Sequence, residues 1–329
     1  MQPALLQEMA PYSTSGDAVE AELSGDGVLV VTVRGGAPPR DGSPAEAADI
    51  NVITSGIMRG LIATFSAAAE DDAVRVLVLR SADPDFFLAH YDVAAIGTNV
   101  GGPEPERKSG PTEHGFHRMC NSVREMPKPC IAAIGGRVGG GGSELCLNFD
   151  MRFGVLGKYT LCQMEVPLGI LPGGSGTVTL PRLVGAGRAM EIILSGDDID
   201  AETAERWGIL NRAFPDAAAM DAHGKAAAAP CPSFSEPQEP KLCAVDALAA
   251  RLASLPPSAV AAAKASVVNG ADMSREDALH EEDYQFQQTL RDSASKEKMD
   301  AFLAHGGQTR AGELDLQGTM VKAGMVAKI

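Results

Sequence analysis

Basic residues are in short supply in this chain. Lys and Arg number 28 against 43 Asp and Glu, a formal charge of −15. A protein that neutralises many backbone phosphates needs a basic footprint, so bulk nucleic acid is excluded as a partner. A small anionic ligand, which needs only a few local donors, is not. No run approaches about 18 uninterrupted apolar residues, so no membrane-spanning helix and no membrane partner are expected. The first twenty residues lack a basic start followed by an apolar core, so no secretory signal is read and the expected compartment is the cytoplasm. The six cysteines, Cys120, Cys130, Cys146, Cys162, Cys231 and Cys243, form no C-x-x-C pair. Structural zinc is therefore not expected, and the cysteines in apolar runs are read as small core residues. Aromatics are scarce as well, with one Trp and four Tyr. At 45% apolar and 22% charged residues the composition is still that of a globular protein.

What is present reads as alternating strands and helices. Residues 27–34 (GVLVVTVR) and 74–79 (VRVLVL) are strand-like. Between them, 51–69 places Ile53, Ile57, Leu61 and Phe65 four apart, the spacing of one apolar helical face. A strand, helix, strand order implies a right-handed crossover and a parallel pair. Residues 35–48 are a Pro/Gly/Ala-rich loop, and 97–111 read as another loop. Residues 114–125 read as a helix, with His117 an ordinary member of it. Residues 216–243 contain AAAAPCPSFSEPQEPK, a Pro/Ser/Glu-rich insertion not expected to pack as a regular element. Residues 244–255, 257–269 and 274–291 read as helices. Ser274, followed three residues later by Asp277, makes a capping-box-like start to the last.

The stretch 127–187 carries the chemistry. A β-like run at 130–134 leads to four consecutive glycines, Gly139 to Gly142, followed by Ser143, Glu144 and Leu145. A second carboxylate, Glu165, precedes the turn Pro172-Gly173-Gly174. No register of the glycines gives G-x-G-x-x-G, and G-K-[ST] is missing, which excludes the dinucleotide fingerprint and the P-loop. Gly173-Gly174-Ser175-Gly176-Thr177 is not a G-x-S-x-G nucleophile elbow. Glycine runs allow close backbone approach and present bare N–H groups, and two glutamates beside them suit acid/base chemistry next to developing negative charge. A flexible turn with a surface Glu accounts for the pattern equally well. If Glu144 opens a helix, its carboxylate gains from the helix N-terminus and stays ionised unless burial opposes this.

The ordered motifs KP-x-IAAI-x-G, GGG-x-EL, D-x-R-x-G, E-x-x-LG-x-x-PG-x-x-GT and L-x-x-x-VG resemble the signature of the crotonase (enoyl-CoA hydratase/isomerase) superfamily. The similarity runs from about residue 74 to 215 and resumes near 244. Phe86 to Val93 looks like the family's F-x-A-G-A-D element. The resemblance implies an α/β fold, a crotonase-like ββα spiral of two near-perpendicular sheets with a C-terminal helical region. It divides the chain into a loose arm (1–20), a spiral core (21–215), the insertion (216–243), the helical region (244–305) and a tail of uncertain structure (306–329). It implies Glu144 and Glu165 as catalytic residues and the backbone N–H groups of Tyr91 and Gly141 as an oxyanion hole. Substrate contacts are expected from Ala89, His90, Asp92, Val93, Gly140, Pro172 and Gly173. Asp92 on its own reads as a helix cap, and His90 as either an extra acid/base group or a packed histidine. Coenzyme A enters as the substrate thioester, with no permanently bound cofactor and no metal, and the oligomer implied is a homotrimer or dimer of trimers. Both glutamates kept together favour addition of water across a 2,3 double bond. An isomerase, dehydratase or cyclising enzyme of a secondary pathway is the alternative, and a non-catalytic scaffold is further off. An insertion over about residues 35–45 and the His90-Tyr91 pair depart from the family pattern.

Overall fold

The computed structural model describes residues 18–35, 50–98, 100–102, 114–221 and 244–326. The chain opens with β1 (Val19–Leu23) and β2 (Val28–Val33), paired antiparallel. Helix α1 (Ser55–Glu70) then crosses to β3 (Val76–Ser81), which pairs parallel with β2 as the element order predicts. Next come β4 (Phe86–Leu88), α2 (Val93–Gly97), α3 (Gly115–Arg124), β5 (Cys130–Ile134), β6 (Arg137–Gly139) and α4 (Gly140–Cys146). They are followed by β7 (Met151–Val155), β8 (Thr160–Cys162), α5 (Gly176–Val184), α6 (Ala186–Ser195), β9 (Ile199–Asp200), α7 (Ala201–Trp207) and β10 (Arg212–Phe214). The strands sort into two sheets, β1-β2-β3-β5-β7-β10 and β4-β6-β8-β9.

The large sheet is buried on both faces, which is why β3 is apolar at four successive positions, Val76 to Leu79. Strand alternation sends Leu77 and Leu79 to the core under α1, with Leu61 and Phe65. Val76 and Val78 point the other way, to a second core with Ile131, Phe153 and Phe214. Burying a side chain of this size is worth about 1.5–3 kcal/mol, so these two layers hold the large sheet, beside which the smaller sheet β4-β6-β8-β9 lies.

Two boundaries differ from the sequence reading, each for a local reason. Helix α1 starts at Ser55 rather than 51, because the Thr54 side chain caps it by accepting from Ile57 N. Ile53, which shares the four-residue spacing, belongs instead to an extended segment bridged to Tyr91. Second, the stretch expected to be irregular from 216 begins as helix α8 (Ala217–Asp221), whose Met220 is buried in the second core. Arg80 on β3 pairs with Asp221 and also with Asp246. Residues 222–243 lie outside the described residues, as do 36–49 and 103–113.

The C-terminal part is helical throughout its described length. It comprises α9 (Val245–Ala253), α10 (Pro257–Gly270), α11 (Arg275–Leu290), α12 (Ser293–Ala304), α13 (Arg310–Leu314) and α14 (Leu316–Lys322), so helices continue into 306–326. Ser274 does cap α11, accepting from Asp277 N and donating to its carboxylate. Lys264 pins α10 to the core, reaching Asp150 at 2.9 Å and the carbonyls of Val123 and Lys128. No residue of α10, α11 or α12 is buried. No helix among the described residues is long and apolar enough to cross a membrane.

Candidate active site

A cavity of about 570 Å³ opens between α2, α3, α4 and the turn before α5, and Tyr91, Gly141, Glu144, Glu165 and Gly173 all line it. Ala89, His90, Asp92, Val93, Gly140 and Pro172 are not among its lining residues. Asp92 caps α2, accepting from Ala94 N and Ala95 N. His90 Nδ1–H donates to the Tyr91 carbonyl at 2.8 Å, so the structure places its ring with the backbone beside the cavity.

The backbone on either side of Tyr91 is fixed by Ile53. His90 O accepts from Ile53 N at 2.8 Å, and Asp92 N donates to Ile53 O at 3.2 Å. Along an extended chain successive N–H groups point to opposite sides. Tyr91 N–H therefore points away from Ile53, and Tyr91 is among the cavity's lining residues. Gly141 N–H comes from the first turn of α4, where N–H groups have no intrahelical acceptor. The Gly140 amide bears on the Cys162 thiol, and Gly141 faces the cavity.

Glu144 lies one turn into α4, because the helix starts at Gly140 rather than beside the glutamate. The helix end that meets its carboxylate belongs to α5. Glu144 Oε1 accepts from Gly174 N and Gly176 N, each at 2.7 Å, and Gly176 is the first residue of α5. Burial pushes the carboxyl above its ordinary range, while those two N–H groups and the His117 imidazole pull it back. Glu165 stands between β8 and α5, 7% exposed, and its Oε2 has no hydrogen-bond partner among the described residues. Burial first and the charge of Glu144 second push its carboxyl up to about 7. Two carboxylates in one cavity thus have unlike surroundings, one bound to two amides and one with an unpartnered Oε2.

Glycines set the shape here. Gly140 has φ +46°, and a Cβ there would lie 2.8 Å from Glu165 Oε1. The cavity wall adds residues that the sequence reading did not single out: Ala95 and Ile96 of α2, His114 and Phe116 at the start of α3, and Ile170, Leu171 and Gly174. Phe116 meets Tyr91 edge to face, with ring centroids 5.6 Å apart. His117 reaches the Gly173 carbonyl at 2.8 Å. The hydrophobic spacing of α3 gives no sign that its first turn faces a cavity. Among the described residues no group of three His, Cys, Asp or Glu comes together to hold a metal ion, and Cys120, Cys130, Cys146 and Cys162 are free and buried.

Comparison with known proteins places this arrangement. The family model described as enoyl-CoA hydratase/isomerase matches residues 46–230. The chain belongs to the enoyl-CoA hydratase/isomerase family. The α subunits of fatty acid oxidation complexes are among the relatives. That of Shewanella halifaxensis is 35% identical over 147 residues, 44% of this chain and 20% of the relative. That of Vibrio vulnificus is 30% identical over 173 residues, 52% of this chain and 24% of the relative. The match thus spans only about a fifth to a quarter of those longer proteins. Among solved structures, a candidate enoyl-CoA hydratase from Streptomyces avermitilis is 31% identical, with a TM-score of 0.59 over 94% of this chain and 99% of that one. An enoyl-CoA hydratase from Bacillus anthracis has a TM-score of 0.68 at 23% identity, over 87% of this chain and 96% of that one. The fold is the crotonase-like ββα spiral with a helical C-terminal region, as the resemblance implied. Within this family fold, the segment after β4 and the first turn of α4 bring Tyr91 and Gly141 to one cavity, and the segment after β8 brings Glu165 to the cavity that Glu144 lines.

Proposed function

We propose that this chain adds water across the 2,3 double bond of an acyl-CoA thioester. The observation that carries the reading is the pair of buried carboxylates lining one cavity, Glu144 held by two amides and Glu165 pushed up to about 7. Environments that push two carboxyl groups apart divide acid and base roles between them. The thioester carbonyl oxygen accepts from Tyr91 N–H and Gly141 N–H, which stabilise the enolate charge that forms there. Glu144, ionised, takes a proton from water as the water oxygen bonds to Cβ. Glu165, protonated, delivers its proton to Cα, and the electron pair of the double bond supplies that new C–H bond through the enolate. Solvent exchange then returns a proton to Glu165 and removes one from Glu144. The net change is one water added, with coenzyme A carried as part of the substrate. Similarity to part of the fatty acid oxidation α subunits supports an acyl-CoA substrate.

The test is loss of the conjugated-thioester absorbance of short and medium trans-2-enoyl-CoA, run in oxygen-18 water. One labelled oxygen in the product supports hydration. Conversion between 3-enoyl and 2-enoyl thioesters without label would replace it by the isomerase reading. A pH profile tests the division of roles. Glu165 must be protonated to act as the acid, so kcat/KM is expected to fall as pH rises through about 7. A profile flat from about pH 6 to about pH 9 would remove Glu165 from that role.

We also propose that the chain self-associates through its C-terminal helices as a homotrimer or a dimer of trimers. Val267, Tyr284 and Phe286 on α10 and α11 are each more than half exposed, a surface of the kind that another chain covers. Light scattering on a sizing column is expected to give a multiple of three chains, and a monomer or dimer would sink this reading.

A further inference from the structure

The loop over Glu144 is gripped from both ends of a single peptide group. No described peptide bond is cis, so the carbonyl of Gly173 and the N–H of Gly174 point in opposite directions. The N–H end donates to Glu144 Oε1 at 2.7 Å. The carbonyl end accepts from His117 Nε2 at 2.8 Å. A carbonyl can only accept, so the imidazole presents its N–H at Nε2. One planar unit therefore links imidazole to carboxylate. Hydrogen bonds in series polarise one another, and the Gly174 amide donates more strongly while its carbonyl partner is engaged.

The rest of this turn of α3 keeps the unit in place. A Cβ on Gly174 would sit 2.3 Å from Phe116 Cε1 and 2.7 Å from Glu144 Oε2, so the loop lies flat between ring and carboxylate. Cys120 Sγ–H donates to the Gly174 carbonyl at 3.4 Å. Phe116, His117 and Cys120 thus contact the loop from one helix face.

We propose that His117 is a positioning residue that holds Glu144 through the 173–174 peptide group. It touches neither water nor thioester in this reading. The proposal rests on Glu144 being the carboxylate that activates water, while the link from His117 to Glu144 is measurable without turnover. The groups that bear on the Glu144 carboxyl are the Gly174 and Gly176 amides, Glu165 in the same cavity, and His117 and Cys120 from α3. The His114 ring adjoins His117 at 5.3 Å.

The test compares His117→Leu with His117→Gln, whose side-chain amide can donate to the Gly173 carbonyl. Carbon-13 NMR of protein labelled at the glutamate carboxyls, with Glu144 assigned through Glu144→Gln, reads the titration directly. Weakening a donor to the ionised form raises the midpoint, so His117→Leu is expected to titrate Glu144 at higher pH than wild type. Its kcat is expected to fall about ten- to a hundredfold with KM little changed, and His117→Gln to stay near wild type in both respects. An unmoved Glu144 midpoint in the Leu variant, or a Gln variant that falls as far as Leu, overturns the proposal. Should Leu prevent folding, His117→Asn, a polar side chain too short to reach Gly173, makes the same comparison. If the wild type hydrates no enoyl-CoA, the hydratase reading fails and the NMR comparison still decides the link.

Discussion

Glu144→Gln and Glu165→Gln are each expected to lower kcat for enoyl-CoA hydration by about 10²–10⁴-fold, the range that general acids and bases supply. Neither change should disturb the fold. A glutamine at 144 keeps a carbonyl oxygen that can accept from the Gly174 and Gly176 amides, which now hold Oε1. The two variants should part company in stability. Glu165 ionises at about 7 in the folded chain against an ordinary 4.5. Between those values the folded state binds more protons than the unfolded one, so stability falls as pH rises from about 4.5 through about 7. A glutamine at 165 removes that term. The inactive Glu165→Gln protein is therefore expected to resist urea better than wild type at about pH 8, with the difference closing toward about pH 4. Urea melts at the two pH values measure it. A Glu165→Gln protein less stable than wild type at the higher pH would mean that the bare Oε2 is not a stored cost, and either variant retaining turnover would end its assignment.

The parts of this site that were legible in the sequence are those that a local motif writes down. Residues 130–134 are the strand expected there, and Tyr91, Gly141, Glu144 and Glu165 line one cavity because each belongs to a short ordered element at family spacing. What could not be read depends on contacts between distant segments. His117 and Gly173 are 56 residues apart, and no local signal ties a helix residue to a carbonyl in a turn. Phe116 obeys the helical pattern as a core residue would, and being buried beside Glu144 rather than elsewhere is decided by how α3 lies on the 173–174 loop. Ile53 shows the reverse error. Its spacing from Ile57 imitates a helical face, while its backbone bonds belong to the segment that fixes Tyr91. The helix end that meets Glu144 is that of α5 and not of α4 for a related reason: the four glycines look like a turn before a helix, yet Gly140 to Gly142 are already inside it.

Those glycines support a second large effect. Gly142→Ala is expected to destabilise the fold by about 1–3 kcal/mol or more, the cost of overpacking a tight contact. A Cβ at 142 would lie 2.1 Å from the Leu88 carbonyl oxygen and 2.8 Å from Leu88 Cβ. These are backbone and near-backbone atoms with no rotamer in which to retreat, so α4 and β4 must separate. That separation also reaches the chemistry. Leu88 ends β4, three residues before Tyr91, and Gly142 directly follows Gly141, so their contact sets how far apart the two backbone donors stand. Moving one donor off the oxygen forfeits up to about 3–4 kcal/mol of transition-state stabilisation. The variant should therefore lose kcat more than its loss of folded protein explains, with KM changed less. Gly187→Ala is the control: it lies on an exposed part of α6, where a Cβ would meet nothing within 4 Å. There alanine is expected to raise stability by about 0.5–1 kcal/mol and leave turnover alone. Urea midpoints and steady-state kinetics on the two variants separate a general intolerance of added methyl groups from this one contact. If Gly142→Ala melts and turns over like wild type, then β4 and α4 are not packed closely enough to set the donor spacing, and the positions of Tyr91 and Gly141 must be fixed by the Ile53 bridge and the first turn of α4 alone.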